Sequence, residues 1–183
     1  MNLPNKLTML RIILIPVFLV LVLVDRIPMH YLWSLIVFLA ACITDTLDGN
    51  IARKRNLVTD FGKLMDPLAD KVMVCTALLC QGIQGVFPWT AIAIVMGKEL
   101  LMVLGGVFML RNDVVVYSNM LGKLAQCCFI LALTLSFFHA EFLAWGFPLD
   151  RLVLWLSVIM TICALIDYAV GAFKTLRAKR AEQ

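Results

Sequence analysis

Charge is scarce in this chain: Asp, Glu, Lys and Arg make up 15% of its 183 residues, against about 25% in soluble domains. With 62% hydrophobic residues and a mean hydropathy of +0.94, that shortage excludes a soluble domain and leaves an integral membrane protein. The net charge of +4 does not make a nucleic-acid footprint, because Lys and Arg sit in short connections between apolar runs. Histidine is limited to His30 and His139, both expected at loop edges and neither with a partner evident in the sequence. The six cysteines, Cys42, Cys75, Cys80, Cys127, Cys128 and Cys163, lie in apolar stretches with no CxxC pair or histidine nearby. They read as small buried hydrophobes, not as zinc ligands or disulfides. No small-residue cleavage site precedes Asp25-Arg26-Ile27-Pro28, so the first apolar run reads as an uncleaved helix. Internal repeats and low-complexity stretches are also missing.

What is present is a series of long apolar runs. A bilayer span takes about 20 mainly apolar residues, and six segments qualify: 7–24, 31–52, 61–87, 89–110, 121–140 and 152–173. The expected fold is all-α, a single membrane domain over 1–183 built as a six-transmembrane-helix bundle. An N-terminal interfacial segment is expected over 5–11, where polar and apolar positions mix after Pro4. On alternate sides, one holds Lys6, Arg11, Arg53, Lys54, Arg55, Lys63, Arg111, Lys123, Lys174, Arg177, Lys179 and Arg180; the other holds little beyond Arg26 and Arg151. The positive-inside bias puts the first side, with both termini, in the cytoplasm. Trp33, Trp89, Trp145 and Trp155 read mostly as interface anchors on the far side. Arg177, Lys179 and Arg180 read as attracting anionic lipid heads.

Four aspartates stand out against this background: Asp45, Asp48, Asp66 and Asp70. Each carboxylate at membrane depth costs roughly 2.5–3.5 kcal/mol, so a cluster needs compensation by metal, cation or water. At 100° per residue, Asp45, Asp48, Gly49 and Ala52 stay within about 60° of one direction, an acidic face kept open by small residues. Asp66 and Asp70 share a face of the next helix, with Pro67 tolerated in a first turn. Helices joined by so short a link should be antiparallel neighbours, so the two acidic faces can meet. Oxygen-only ligands suit hard cations such as Mg²⁺ or Mn²⁺. Two such ions would clamp a phosphoryl group and leave one carboxylate as a base. Helix caps and salt bridges to Arg53, Arg55 and Lys63 fit Asp60 well but Asp45 poorly, because the apolar run before Asp45 places it inside the membrane.

Asp45-x2-Asp48-Gly49-x2-Ala52-Arg53-x8-Gly62-x3-Asp66-x3-Asp70 resembles the signature of the CDP-alcohol phosphatidyltransferase family at every fixed position. The resemblance implies displacement of CMP from a CDP-linked lipid by an alcohol, in a six-helix fold that works as a homodimer. Carried over residue by residue, it implies that Asp45, Asp48 and Asp66 hold a two-ion Mg²⁺ or Mn²⁺ centre. Asp70 would lie in the same metal site and act as general base, while Asp48, Gly49 and Arg53 would bind the diphosphate of CDP-diacylglycerol.

The signature leaves the acceptor open. Pro4-Asn5-Lys6-Leu7-Thr8-Met9-Leu10-Arg11 resembles the P-N-x-L-T-x-x-R opening of family members that use glycerol 3-phosphate, which would place Asn5, Thr8 and Arg11 in the cytidine-diphosphate pocket. Lys98-Glu99-Leu100, Arg111 and Gly122-Lys123-Leu124-Ala125-Gln126 resemble the R-E-L, Arg and G-K-x-K-T-x-x-Q stretches of the same members. The chain departs there, with Lys98 for Arg and Leu124-Ala125 where a second Lys and Thr often stand. Lys98, Arg111 and Lys123 still suit an acceptor with its own phosphate, although Arg111 and Lys123 also read as positive-inside anchors. Other acceptors (inositol phosphate, serine or phosphatidylglycerol) stay open, as does a divalent-cation transporter, since intramembrane carboxylates also mark ion pathways.

Overall fold

The structure, a computed structural model, describes the backbone of residues 3–24, 26–55, 60–111 and 120–181. Side chains are described within these segments except at 3–8, 45–68, 70, 107, 108, 110, 111, 174, 176 and 178–181. Every regular element among the described residues is an α-helix: α1 (Leu3–Leu23), α2 (His30–Arg55), α3 (Asp60–Ile83), α4 (Trp89–Arg111), α5 (Met120–Ser136), α6 (His139–Ala144) and α7 (Leu149–Ala181). Six of these overlay the six expected spans. The seventh, α6, is a correction: α5 stops at Ser136, and residues expected to split between a span and a loop form a short helix instead. Phe138 N–H bonds the Leu135 carbonyl, which turns the chain before α6 begins. A second correction concerns Pro67, which stands well inside α3 and not in its first turn. The α1 helix runs unbroken from Leu3, so segment 5–11 forms its first turns.

The chain folds as two compact units, residues 1–86 and 87–183. In the first, α1, α2 and α3 all pack on one another around Phe18, Val22, Phe38, Met73, Ala77 and Leu78. In the second, α7 packs on α4, α5 and α6, with Phe129, Ala132, Leu133, Leu154 and Val158 buried. Gly105 of α4 faces Tyr168 of α7, where a Cβ would make an ordinary contact at 3.9 Å with the ring.

The described surface is as apolar as the core, and a few polar residues are buried. Arg11, Ser34, Gln81, Asp150 and Ser157 are buried, while Ile13, Ile43, Ile83, Leu100, Ile159 and Phe173 are exposed. Hydroxyls bond back onto their own helices, Ser34 to the His30 carbonyl at 2.7 Å, Thr134 to that of Ile130 at 2.8 Å and Ser157 to that of Leu154 at 2.7 Å. A hydroxyl surrounded by hydrocarbon needs such an internal acceptor. Among the described residues, two helices are long and apolar enough to cross a bilayer by themselves, over Trp89–Gly106 and Leu149–Phe173. All four tryptophans are exposed near helix ends. The cysteines are all free, but only Cys80 is buried outright; Cys127 and Cys163 are exposed, which corrects the expectation of buried thiols. An apolar thiol needs no burial on a surface that faces lipid.

Two helices end in the same way. Beyond α3, Gly85 (φ 73°) lets Gly85 N–H bond the Gly82 carbonyl and Val86 N–H that of Gln81. Beyond α6, Gly146 (φ 73°) repeats the pattern with Leu143 and Phe142. Both are Schellman motifs, and Pro88 and Pro148 follow shortly, where neither helix could continue. Gly85→Ala is expected to cost about 1–2 kcal/mol, because the added methyl meets nothing within 4 Å but holds an L-residue in the left-handed region. Gly171→Ala, in open space inside α7, should be neutral or stabilising by up to about 1 kcal/mol. Thermal denaturation of both variants in one detergent checks the pair.

Candidate active site in the first helical unit

The four signature aspartates lie on two helices in mutual contact, Asp45 and Asp48 in α2, Asp66 and Asp70 in α3. Their side chains, with those of Asn5, Thr8, Gly49, Arg53 and Arg111, fall outside the described residues. The backbone register still states at what depth each position lies.

Two contacts fix that register. Between α1 and α2 the connection is folded tightly, with Ile27 N–H on the Val24 carbonyl, His30 N–H on that of Ile27, and Met29 at φ 55°. The chain therefore reverses, and the buried rings of Phe18 and Phe38 meet at 6.1 Å between centroids. At the same end, Gln84 Nε2 donates to the Val22 carbonyl at 2.8 Å. This amide satisfies one of the acceptors that every helix C-terminus leaves over and sets the end of α3 beside the end of α1. With Phe18 level with Phe38 and Val22 with Gln84, a rise of 1.5 Å per residue carries the alignment along all three helices. Arg11 falls level with Asp45 and Met73, Thr8 with Asp48 and Asp70, and Pro4 with Ala52 and Asp66. The four aspartate positions thus occupy a band about 10 Å deep, and Asn5, Thr8 and Arg11 lie in the same band.

Arg11 is the one expected site residue in this band whose side chain is described, and it is 1% exposed. A guanidinium is buried in this way only where it is matched by acceptors or anions. Arg11 is buried inside the three-helix unit, level with position 45 of α2. In sequence it would pass for one of the positive-inside anchors. Its burial among buried apolar neighbours sets it apart.

The acceptor-side residues lie in the second unit. Lys98 Nζ pairs with the adjacent Glu99 carboxylate, both partly buried within apolar α4. Two opposite charges there neutralise each other, which lowers the cost of holding either at that depth. Arg111 is the last residue of α4, and Lys123 is exposed in the first turn of α5.

Sequence reasoning missed one pair. His139 Nδ1 lies 2.7 Å from Asp150 Oδ2, and Asp150 is fully buried in the first turn of α7. A carboxylate at a helix N-terminus is favoured by the helix dipole, and this pair ties α6 to α7. The available signal was the pair of residues opening two successive helices across the Gly146 turn. His30, at the start of α2, packs its ring on Tyr31 at 4.0 Å.

An all-helical chain with a largely apolar exposed surface, an apolar core and four aspartates on two contacting helices has the makings of a membrane protein. The sequence matches the CDP-alcohol phosphatidyltransferase family over residues 1–163, and the chain belongs to that family. It is 35% identical to a CDP-diacylglycerol–glycerol-3-phosphate 3-phosphatidyltransferase of Bacillus subtilis (strain 168) over 188 residues, covering 96% of this chain and 97% of that protein. A protein of the same description from Aquifex aeolicus (strain VF5) is 30% identical over 182 residues, 96% of this chain and 98% of its own. A probable phosphatidylglycerophosphate synthase of Mycobacterium tuberculosis (strain ATCC 25618 / H37Rv) is 30% identical over 183 residues, 96% and 83% respectively. The chain is a membrane protein and an enzyme of the phosphatidyltransferase type.

The register has a direct test. In a cysteine-free background, Asp48→Cys with Asp70→Cys should cross-link with a short bifunctional maleimide. Asp48→Cys with Leu79→Cys, about 13 Å further along the bundle, should not. Equal yields for the two pairs would show the alignment to be wrong.

Proposed function

We propose that this protein transfers the phosphatidyl group of CDP-diacylglycerol to glycerol 3-phosphate, giving phosphatidylglycerophosphate and CMP. The observation that carries the reading is that the four signature aspartates stand on α2 and α3, two helices in mutual contact. It is supported by relatives named for this reaction that match nearly end to end.

A carboxylate-only donor set on two contacting helices suits a hard divalent ion. Asp45, Asp48, Asp66 and Asp70 would hold two ions, Mg²⁺ or Mn²⁺. When bound, these ions supply electrophilic polarisation of the phosphate oxygens and charge neutralisation at the leaving side. The chain's own residues do the rest. Arg11 and Arg53, with Asn5, Thr8 and Gly49, hold the cytidine diphosphate, the small Gly49 allowing a phosphate to come close to α2. Asp70 accepts the proton of the glycerol hydroxyl as that oxygen bonds to the phosphorus carrying diacylglycerol. The bridging oxygen–phosphorus bond breaks, and its electron pair leaves with CMP. The phosphate of the acceptor asks for cations, and Lys98, Arg111 and Lys123 are the residues we assign to it.

In this reading all six longer helices span the bacterial cytoplasmic membrane, with both termini and the acidic band on the cytoplasmic side, where the cations cluster and both water-soluble substrates are found. The acyl chains stay in lipid while the diphosphate enters the band. The homodimer that the family resemblance implies is part of the same proposal.

Asp70→Asn and Asp66→Asn should each lower CMP release by at least about 10²-fold, the range expected for a lost general base or metal ligand, with unchanged helix content. A chelator should abolish turnover, and added Mg²⁺ or Mn²⁺ should restore it. In a radiolabelled acceptor panel, lipid labelled from serine but not from glycerol 3-phosphate would overturn the assignment of acceptor. For Lys98→Gln, the KM for glycerol 3-phosphate should rise about tenfold or more while that for CDP-diacylglycerol stays within about twofold, the signature of a lost charge-assisted contact.

A further inference from the structure

The outward stripe of α7 changes character along its length. Ile159, Ile166, Val170 and Phe173 are exposed, and at 100° per residue they fall within about 40° of one direction. The helix continues without a break to Ala181. That continuation returns exposed Arg177 to the direction of Ile159. Positions 174 and 180, both cationic, lie about 60° to either side; Lys179 is on the opposite face, which separates it from Arg177 and Arg180, with which the sequence pattern groups it. The apolar stretch Leu149–Phe173 measures about 38 Å, more than the roughly 30 Å of hydrocarbon in a bilayer. Phe173 therefore reaches the headgroup boundary, and Arg177 lies about 6 Å beyond it.

We infer that this end of α7 is a headgroup site for an anionic phospholipid of the surrounding leaflet. One acyl chain lies along Ile166, Val170 and Phe173, and the phosphate meets Arg177, with the cationic positions 174 and 180 on the same side of the helix. Charge selects this occupant over a second copy of the chain. Two copies inserted the same way would bring identical cationic ends together on this face, and like charges juxtaposed in an interface cost several kcal/mol. A lipid phosphate at the same depth is attracted by all three cations. The inference rests on the proposed topology only for which leaflet supplies the lipid.

The experiment uses the full-length protein in bilayers of phosphatidylcholine doped with spin-labelled phosphatidylglycerol or spin-labelled phosphatidylcholine, reading the motionally restricted fraction. The wild type should retain phosphatidylglycerol at least about fivefold over phosphatidylcholine, and raised salt should reduce the preference. Arg177→Gln should lower it about fivefold, Lys174→Gln and Arg180→Gln by smaller factors, and Lys179→Gln not at all. Equal retention of the two lipids by the wild type would overturn the inference, as would an equal loss in Lys179→Gln and Arg177→Gln. Full displacement of the lipid by millimolar inorganic phosphate would also overturn it, by showing a site for free anions. Lipid retention in a symmetric bilayer depends on neither sidedness nor turnover. An enzyme without CMP release but with this preference would therefore sink the proposed function and leave the lipid site standing.

Discussion

The first unit depends on how α1, α2 and α3 are locked at the end away from the acids. Phe18 against Phe38 and the Gln84 amide on the Val22 carbonyl set the relative heights of three helices, and every residue further along inherits that setting. A helix has no means of sliding by a fraction of a turn without breaking such contacts, since packed interiors tolerate little displacement. Placing four carboxylate positions at matched depth is thus achieved by apolar packing and one side-chain amide roughly 10–27 Å from them along the bundle.

The apolar surface of the chain follows from the same economy of contacts. In lipid, burying an isoleucine gains little and exposing a hydroxyl costs a hydrogen bond, so serines and threonines fold back onto their own carbonyls. Asp150 follows the same rule in a sharper form: a fully buried carboxylate is matched by His139 and by the amino end of α7.

Much of this was legible from residue types alone. Apolar runs of span length gave six helices, all but one within four residues of their ends, because apolar surroundings leave backbone amides no alternative to internal bonding; α7 runs eight residues past the end of its apolar run. The aspartate signature pointed to phosphoryl chemistry, because the depth of those acids left no cheap structural role for Asp45. What was not legible depended on tertiary partners or on local geometry. Helix α6 was hidden because its hydrophobic residues read as the tail of a span, while the chain turns at Leu135–Phe138 and again at Gly146. The His139–Asp150 contact joins residues eleven apart across that turn, a distance no periodicity reports. Exposed Cys127 and Cys163 were misjudged because burial was assumed for a thiol whose surroundings on the lipid side are equally apolar.

The acid end and the locked end therefore have opposite energetics, and the contrast bears on mechanism. At the locked end, ring packing, a satisfied carbonyl and the Schellman turn at Gly85 all favour one arrangement without any ligand. At the acid end, carboxylates ionised at four such positions would repel one another, each by an amount that grows as water is excluded. Buried Arg11 brings one positive charge to the same level of the unit. In the function we propose, the divalent ions assigned to Asp45, Asp48, Asp66 and Asp70 would supply the rest. The arrival of those ions would then be part of assembling the site, while the packing at the other end sets its depth.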